Sequence, residues 1–122
     1  MTEATENIFK STDDILTRCD DGSSFANTAK ELDHRPNLWS TIIAFSDVVY
    51  VATTGVDDDK IELLGKAMRA DEVWAYDRDE LLGDTIADLK GKTHYDKAHL
   101  RALRDWLRKV PSGVSIWRYW WD

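Results

Sequence analysis

The sequence predicts an α+β fold, a mostly antiparallel sheet with helices packed on it, on three observations. Two runs rich in β-branched and aromatic residues, Leu38 to Phe45 and Val48 to Thr54, are separated only by Ser46-Asp47, which is enough for a hairpin. A third run of the same kind, Val114 to Trp121, follows a Pro111-Ser112-Gly113 stop. Other segments carry apolar residues at helical spacing. The clearest runs from about His94 to Lys109, where Leu100, Leu103, Trp106, Leu107 and Val110 gather in one arc at ~100° per residue. The chain of 122 residues corresponds to a single domain, 1–122, long enough to bury one core without staples.

In chain order, Ser11-Thr12-Asp13-Asp14 ahead of Ile15 and Leu16 reads as a helix start, with oxygen side chains to cap free amides and acids at the positive end of the dipole. Asp20-Asp21-Gly22 keeps that helix short. A second helix spans Ser24 to about Asp33, with Phe25, Ala29 and Leu32 on one stripe, and Pro36 closes it by disfavouring helical geometry at Arg35. The two central β runs form either a hairpin or one continuous bent strand, since Ser-Asp is a weaker turn pair than Asn-Gly. Asp57, Asp58 and Asp59 then open an amphipathic helix through Ile61, Leu63, Leu64, Ala67 and Met68. Val73 to Tyr76 reads as a short strand, followed by a helix around Asp79 to Lys90 that Gly91 ends.

Composition narrows the class of protein. With 43% hydrophobic and 32% charged residues the chain falls among soluble globular proteins, and its longest apolar run is too short to cross a bilayer. The acidic N-terminus lacks the basic-then-apolar order of a targeting peptide. Cys19 is the single cysteine, so no intrachain disulfide forms, and a cytoplasmic setting is expected. Net charge is −7, unevenly spread: residues 1–90 hold 20 acids against 9 bases, a net of −11, while residues 91–122 hold 3 acids against 7 bases, a net of +4. An acidic body repels phosphate, which disfavours direct nucleic-acid binding, and it speeds encounter with a basic protein surface. Asp57, Asp58 and Asp59 are the candidate contacts to such a partner.

Two further constellations suggest binding. Lys97, Arg101, Arg104 and Arg108 fall at i, i+4, i+7 and i+11, along one face of the last helix. That face is either a solvated surface, a secondary docking site, or the complement of an acidic surface on a second copy, which leaves homo-oligomerisation open. At the chain end, strand alternation puts Trp117, Tyr119 and Trp121 on one face and Ile116, Arg118 and Trp120 on the other. Either the sheet is covered on both sides, or one aromatic row anchors a partner, with Trp120 or Trp121, next to the chain end, taking a share of the interface. No metal or cofactor signature emerges. His94 and His99 are five apart and miss the register of two ligands on one helix face, the Asp57 to Asp59 run lacks the alternation and glycine of a calcium loop, and Gly65, Gly83 and Gly91 are isolated.

The stretch Phe25 to Pro36, Phe-Ala-Asn-Thr-Ala-Lys-Glu-Leu-Asp-His-Arg-Pro, resembles the motif A-x-x-A-x-x-L-D-H-H-P of pterin-4a-carbinolamine dehydratases. Further on, Thr53-Thr54-Gly55-Val56-Asp57 stands where that family reads T-T-H ahead of its last helix. The resemblance covers about Ser24 to Met68 and implies a helix, a strand region, a turn and a helix. It also implies a pterin site from which two of three catalytic histidines are absent, because only His34 remains and Arg35 occupies the second position. A guanidinium stays protonated at physiological pH and cannot accept a proton, so the imidazole pair that would shuttle protons is missing. Two expectations follow. The first is a non-catalytic acidic inhibitor or immunity-type protein (toxin-immunity, anti-CRISPR or anti-restriction) that masks a basic surface of a nucleic-acid-handling partner. The second is a degenerate dehydratase-like protein, acting as an assembly or binding factor or keeping residual pterin chemistry through His34.

Overall fold

The computed structural model describes residues 8–91 and 97–122. In chain order they form β1 (Ile8–Phe9), α1 (Thr12–Arg18), α2 (Ser24–Asp33), β2 (Trp39–Phe45), β3 (Val48–Thr53), α3 (Asp58–Ala67), β4 (Glu72–Asp77), α4 (Arg78–Lys90), α5 (Lys97–Lys109) and β5 (Ser115–Trp120). The fold is α+β, with a fully antiparallel five-stranded sheet in the order β1-β2-β3-β5-β4. Of the two central readings, the hairpin is the one formed. Phe45 pairs with Val48, and Ser46 adopts φ 52°, the left-handed backbone at the first turn position that a two-residue loop uses.

Helix starts follow the chemistry of their leading residues. Ser11 Oγ accepts from the Asp14 amide ahead of α1, Ser23 Oγ from the Ala26 amide ahead of α2, and the Asp77 carboxylate from the Asp79 and Glu80 amides ahead of α4. Strand β1 is a finding the sequence did not announce. Two residues offer no periodicity to read, and the strand exists because Ile8 and Phe9 add to the open edge of β2 opposite Phe45 and Ala44. Arg18 secures it, its guanidinium donating to Ile8 O and lying 4.3 Å from the Phe9 ring centroid. The expected start of the last helix at His94 lies outside the described residues, where α5 begins at Lys97.

The sheet is covered on both sides. One core packs α1, α2 and α3 through Ile15, Leu32, Ile61 and Leu64 against Ile42, Val49, Val51 and Tyr119. The other packs α4 and α5 through Leu81, Leu103, Trp106 and Leu107 against Ile43, Tyr50, Ala52 and Ile116. Strand β5, between β3 and β4, therefore buries residues of both alternating sets. Tyr119 is 0% exposed and its hydroxyl donates to Ile61 O; Ile116 on the opposite face is also 0% exposed. Close approach of α3 to this strand depends on Gly65, where a Cβ would come within 2.5 Å of two Tyr119 ring carbons and 2.9 Å of Val73 Cγ2. Among the described residues no helix is long and apolar enough to cross a membrane.

Candidate protein-binding surface

The outermost strand, β4, passes directly into α4 without a loop, and the corner is braced from several sides. The Asp77 carboxylate caps the helix, Arg78 Nε donates to Leu107 O at 2.8 Å, and Arg78 Nη1 reaches Asp79 Oδ1 at 2.8 Å. Ser112 Oγ donates to Asp79 Oδ2 at 2.6 Å. Hydrogen bonds from Ser112 and Arg78 hold the Asp79 carboxyl below its ordinary pKa, so it stays charged. This bracing fixes the direction in which α4 leaves the sheet.

Leu81 and Thr85 of α4 are buried one turn apart, while Glu80, Asp84 and Asp88 at i, i+4 and i+8 are exposed. The segment 71–88 holds seven acids and one base, Arg78. Within this field stands Trp74 of β4, 62% exposed, with exposed Ala75 beside it. Trp74 pairs across the ladder with Arg118, whose Nη1 reaches Glu72 Oε1 at 3.1 Å and whose guanidinium lies 6.0 Å from the Trp120 ring centroid. A large apolar ring in water, on a strand that continues into a helix with an exposed acidic face, combines an interface anchor with an electrostatic steering field.

The residues expected to contact a partner are dispersed. Asp57, Asp58 and Asp59 sit at the N-terminal end of α3: Asp57 pairs with Lys60 at 3.5 Å, Asp58 is half-buried with Oδ1 enclosed, and Asp59 is exposed. They form the start of α3, with Asp57 and Asp59 open to solvent. Tyr119 lies wholly inside the core and leaves the set of candidate contacts, because α3 covers its face of the sheet. Trp117 and Trp121 are half-buried against that same core, and the Trp121 indole donates to Met68 O at 3.0 Å. Trp120, on the opposite face, is half-buried and stands one ladder step beyond Arg118 on the Trp74 side. On α5, Lys97, Arg101 and Arg108 are exposed and Arg104 is half-buried and paired with Asp105 at 3.0 Å, so the basic face exists as a helix surface.

Trp74 and the acids of 71–88 were not singled out by the sequence. Strand alternation shows only that Trp74 and Val73 point to opposite faces, whereas exposure depends on β4 ending the sheet, which follows from the long-range pairing with β5.

His34 lies at the C-cap of α2 and lines a shallow hollow of about 320 Å³ with Arg35, Pro36, Val56, Asp57 and Lys60. His99 stacks on Phe45 on the other side of the sheet, at 4.8 Å between centroids, so these two imidazoles do not meet; His94 lies outside the described residues. Arg35 is bound to Glu31, its Nη1 reaching Oε1 at 2.6 Å. Cys19 borders a separate hollow with Phe25 and Trp121, and burial raises its thiol pKa, which keeps it protonated and a poor nucleophile. Among the described residues no group of three or more His, Cys, Asp or Glu is placed to hold a metal ion. Comparison with family models, with curated proteins and with solved structures returns no match.

Proposed function

We propose that this chain is a non-catalytic acidic protein-binding module that masks a basic surface of a nucleic-acid-handling partner, as toxin-immunity, anti-CRISPR and anti-restriction inhibitors do. The observation that carries the reading is the β4–α4 segment 71–88, which holds seven acids against one base and includes a tryptophan that is 62% exposed. Exposure of so large an indole is unfavourable in isolation and is relieved when a partner covers it. The acids of α4 would meet lysine and arginine that otherwise contact phosphate, so the module and nucleic acid would compete for one surface. Among the described residues the hollow that His34 lines holds no second imidazole, and Arg35 is bound to Glu31, which favours this reading over residual pterin chemistry.

The test is competition. A partner captured on the immobilised chain should be released by duplex DNA, and the variant in which Glu80, Asp84 and Asp88 are all lysine should lose capture at least tenfold, since each reversal replaces attraction with repulsion. Capture that survives the triple reversal unchanged, or a ternary complex in which partner, DNA and module coexist, would remove the basis for the proposal.

A further inference from the structure

We infer that β4 receives an extended basic segment of the partner as an added antiparallel or parallel strand, with Trp74 as the anchor beside it. This inference rests on the acidic-surface reading above and specifies how that surface engages.

Strand β4 is the last of its sheet, and Arg78 N donates to Val114 O at the end of its ladder with β5. Hydrogen bonding alternates along an antiparallel ladder, so Tyr76, Trp74 and Glu72 direct their backbone groups toward β5, Val73 and Ala75 direct theirs outward, and Asp77 directs its N–H outward while its carbonyl begins α4. Among the described residues nothing caps that outer edge. Three of the devices that protect such an edge are missing from it, since Glu72 to Asp77 contains no proline and no lysine and pairs with β5 through six consecutive residues without a register shift; its charges are the acids at its two ends. The edge thus offers a regular row of donors and acceptors next to an exposed indole, which is the template for strand addition.

Charge selects the occupant. A second copy fits poorly, because outward-directed residues pair only with outward-directed ones: with Val73 opposite Ala75 the two copies set Asp71 against Asp77 at both ends, with Ala75 opposite Ala75 they set Val73 against Asp77, and Glu72 to Asp77 supplies no base in either register. A strand carrying lysine or arginine meets Asp71 and Glu72 at one end and Asp77, where the acidic helix α4 begins, at the other. An apolar residue midway along it would lie on the Trp74 side.

The probe is a short end-blocked peptide of alternating lysine and valine, compared with a lysine-glycine peptide of equal charge and low strand propensity. With the lysine-valine peptide bound, hydrogen exchange at the Val73, Ala75 and Asp77 amides should slow at least tenfold, and the lysine-glycine peptide should bind at least tenfold more weakly. Ala75→Pro removes one outward donor while leaving the bonds to β5, and it should weaken the lysine-valine peptide at least tenfold. Should the proline disturb the sheet, the exchange measurement on the unaltered chain still decides whether the edge is occupied. Protection elsewhere, or failure of the lysine-valine peptide to bind, overturns the inference. If both peptides bind alike and only reversal of Glu80, Asp84 and Asp88 abolishes them, strand addition is wrong while the acidic-surface reading stands. If that reversal also changes nothing, both fall. A dimer of the unaltered chain that Ala75→Pro dissociates would assign the edge to a second copy and overturn the basic occupant.

Discussion

Tyr119→Ala is expected to cost about 3 to 5 kcal/mol of folding free energy, the range for removing a ring from a packed core, against a typical total of about 5 to 15 kcal/mol. The ring is 0% exposed, fills the space left by Gly65, and belongs to the strand that joins β3 to β4. Its loss opens a cavity under α3 and leaves Ile61 O without its donor. Urea unfolding followed by circular dichroism measures the effect, and a loss below about 1 kcal/mol would show that α3 does not clamp the sheet through this side chain. Tyr119→Phe separates the hydroxyl from the ring. Burial raises the Tyr119 pKa above its ordinary value, and a group whose folded pKa is raised contributes stability that is complete below the unfolded pKa of about 10 and is lost as pH rises through the folded value. The unaltered protein should therefore lose stability more steeply than Tyr119→Phe above pH of about 10.

Trp74→Ala should behave in the opposite way. The side chain is 62% exposed on an edge strand, so its removal is expected to change folding free energy by no more than about 0.5 kcal/mol. Partner affinity should fall by at least about 2 kcal/mol, about thirtyfold, the scale of a tryptophan at the centre of an interface. Calorimetric titration of the captured partner against both forms measures the difference. A tryptophan whose loss leaves affinity unchanged is outside the contact, and the centre of the proposed surface would then lie elsewhere.

The local rules of the sequence were sufficient for most elements. Ser11, Ser23 and the Asp20-Asp21-Gly22 break carry their own capping and turn chemistry, and Pro36 and Pro111 end helices by geometry that needs no tertiary context. Alternation in β5 raised the alternative of a sheet covered on both faces, which the two cores realise. What escaped depends on partners far along the chain. β1 exists only through β2, and the exposure of Trp74 follows from the pairing of β4 with the distant β5, beyond which β4 has no further neighbour among the described residues. The acid count of the first 90 residues points to a charged body, and the run of three aspartates at Asp57 is a helix start, while seven further acids lie along β4 and α4 within 71–88.

The central claim is that the β4–α4 flank is where this molecule attaches, and hydrogen exchange with and without the captured partner tests it most directly. The account predicts slowed exchange concentrated in residues 71–88, with Val73, Ala75 and Asp77 among the amides most affected. Protection confined to the hollow of His34, Arg35 and Lys60, with 71–88 unchanged, would contradict it.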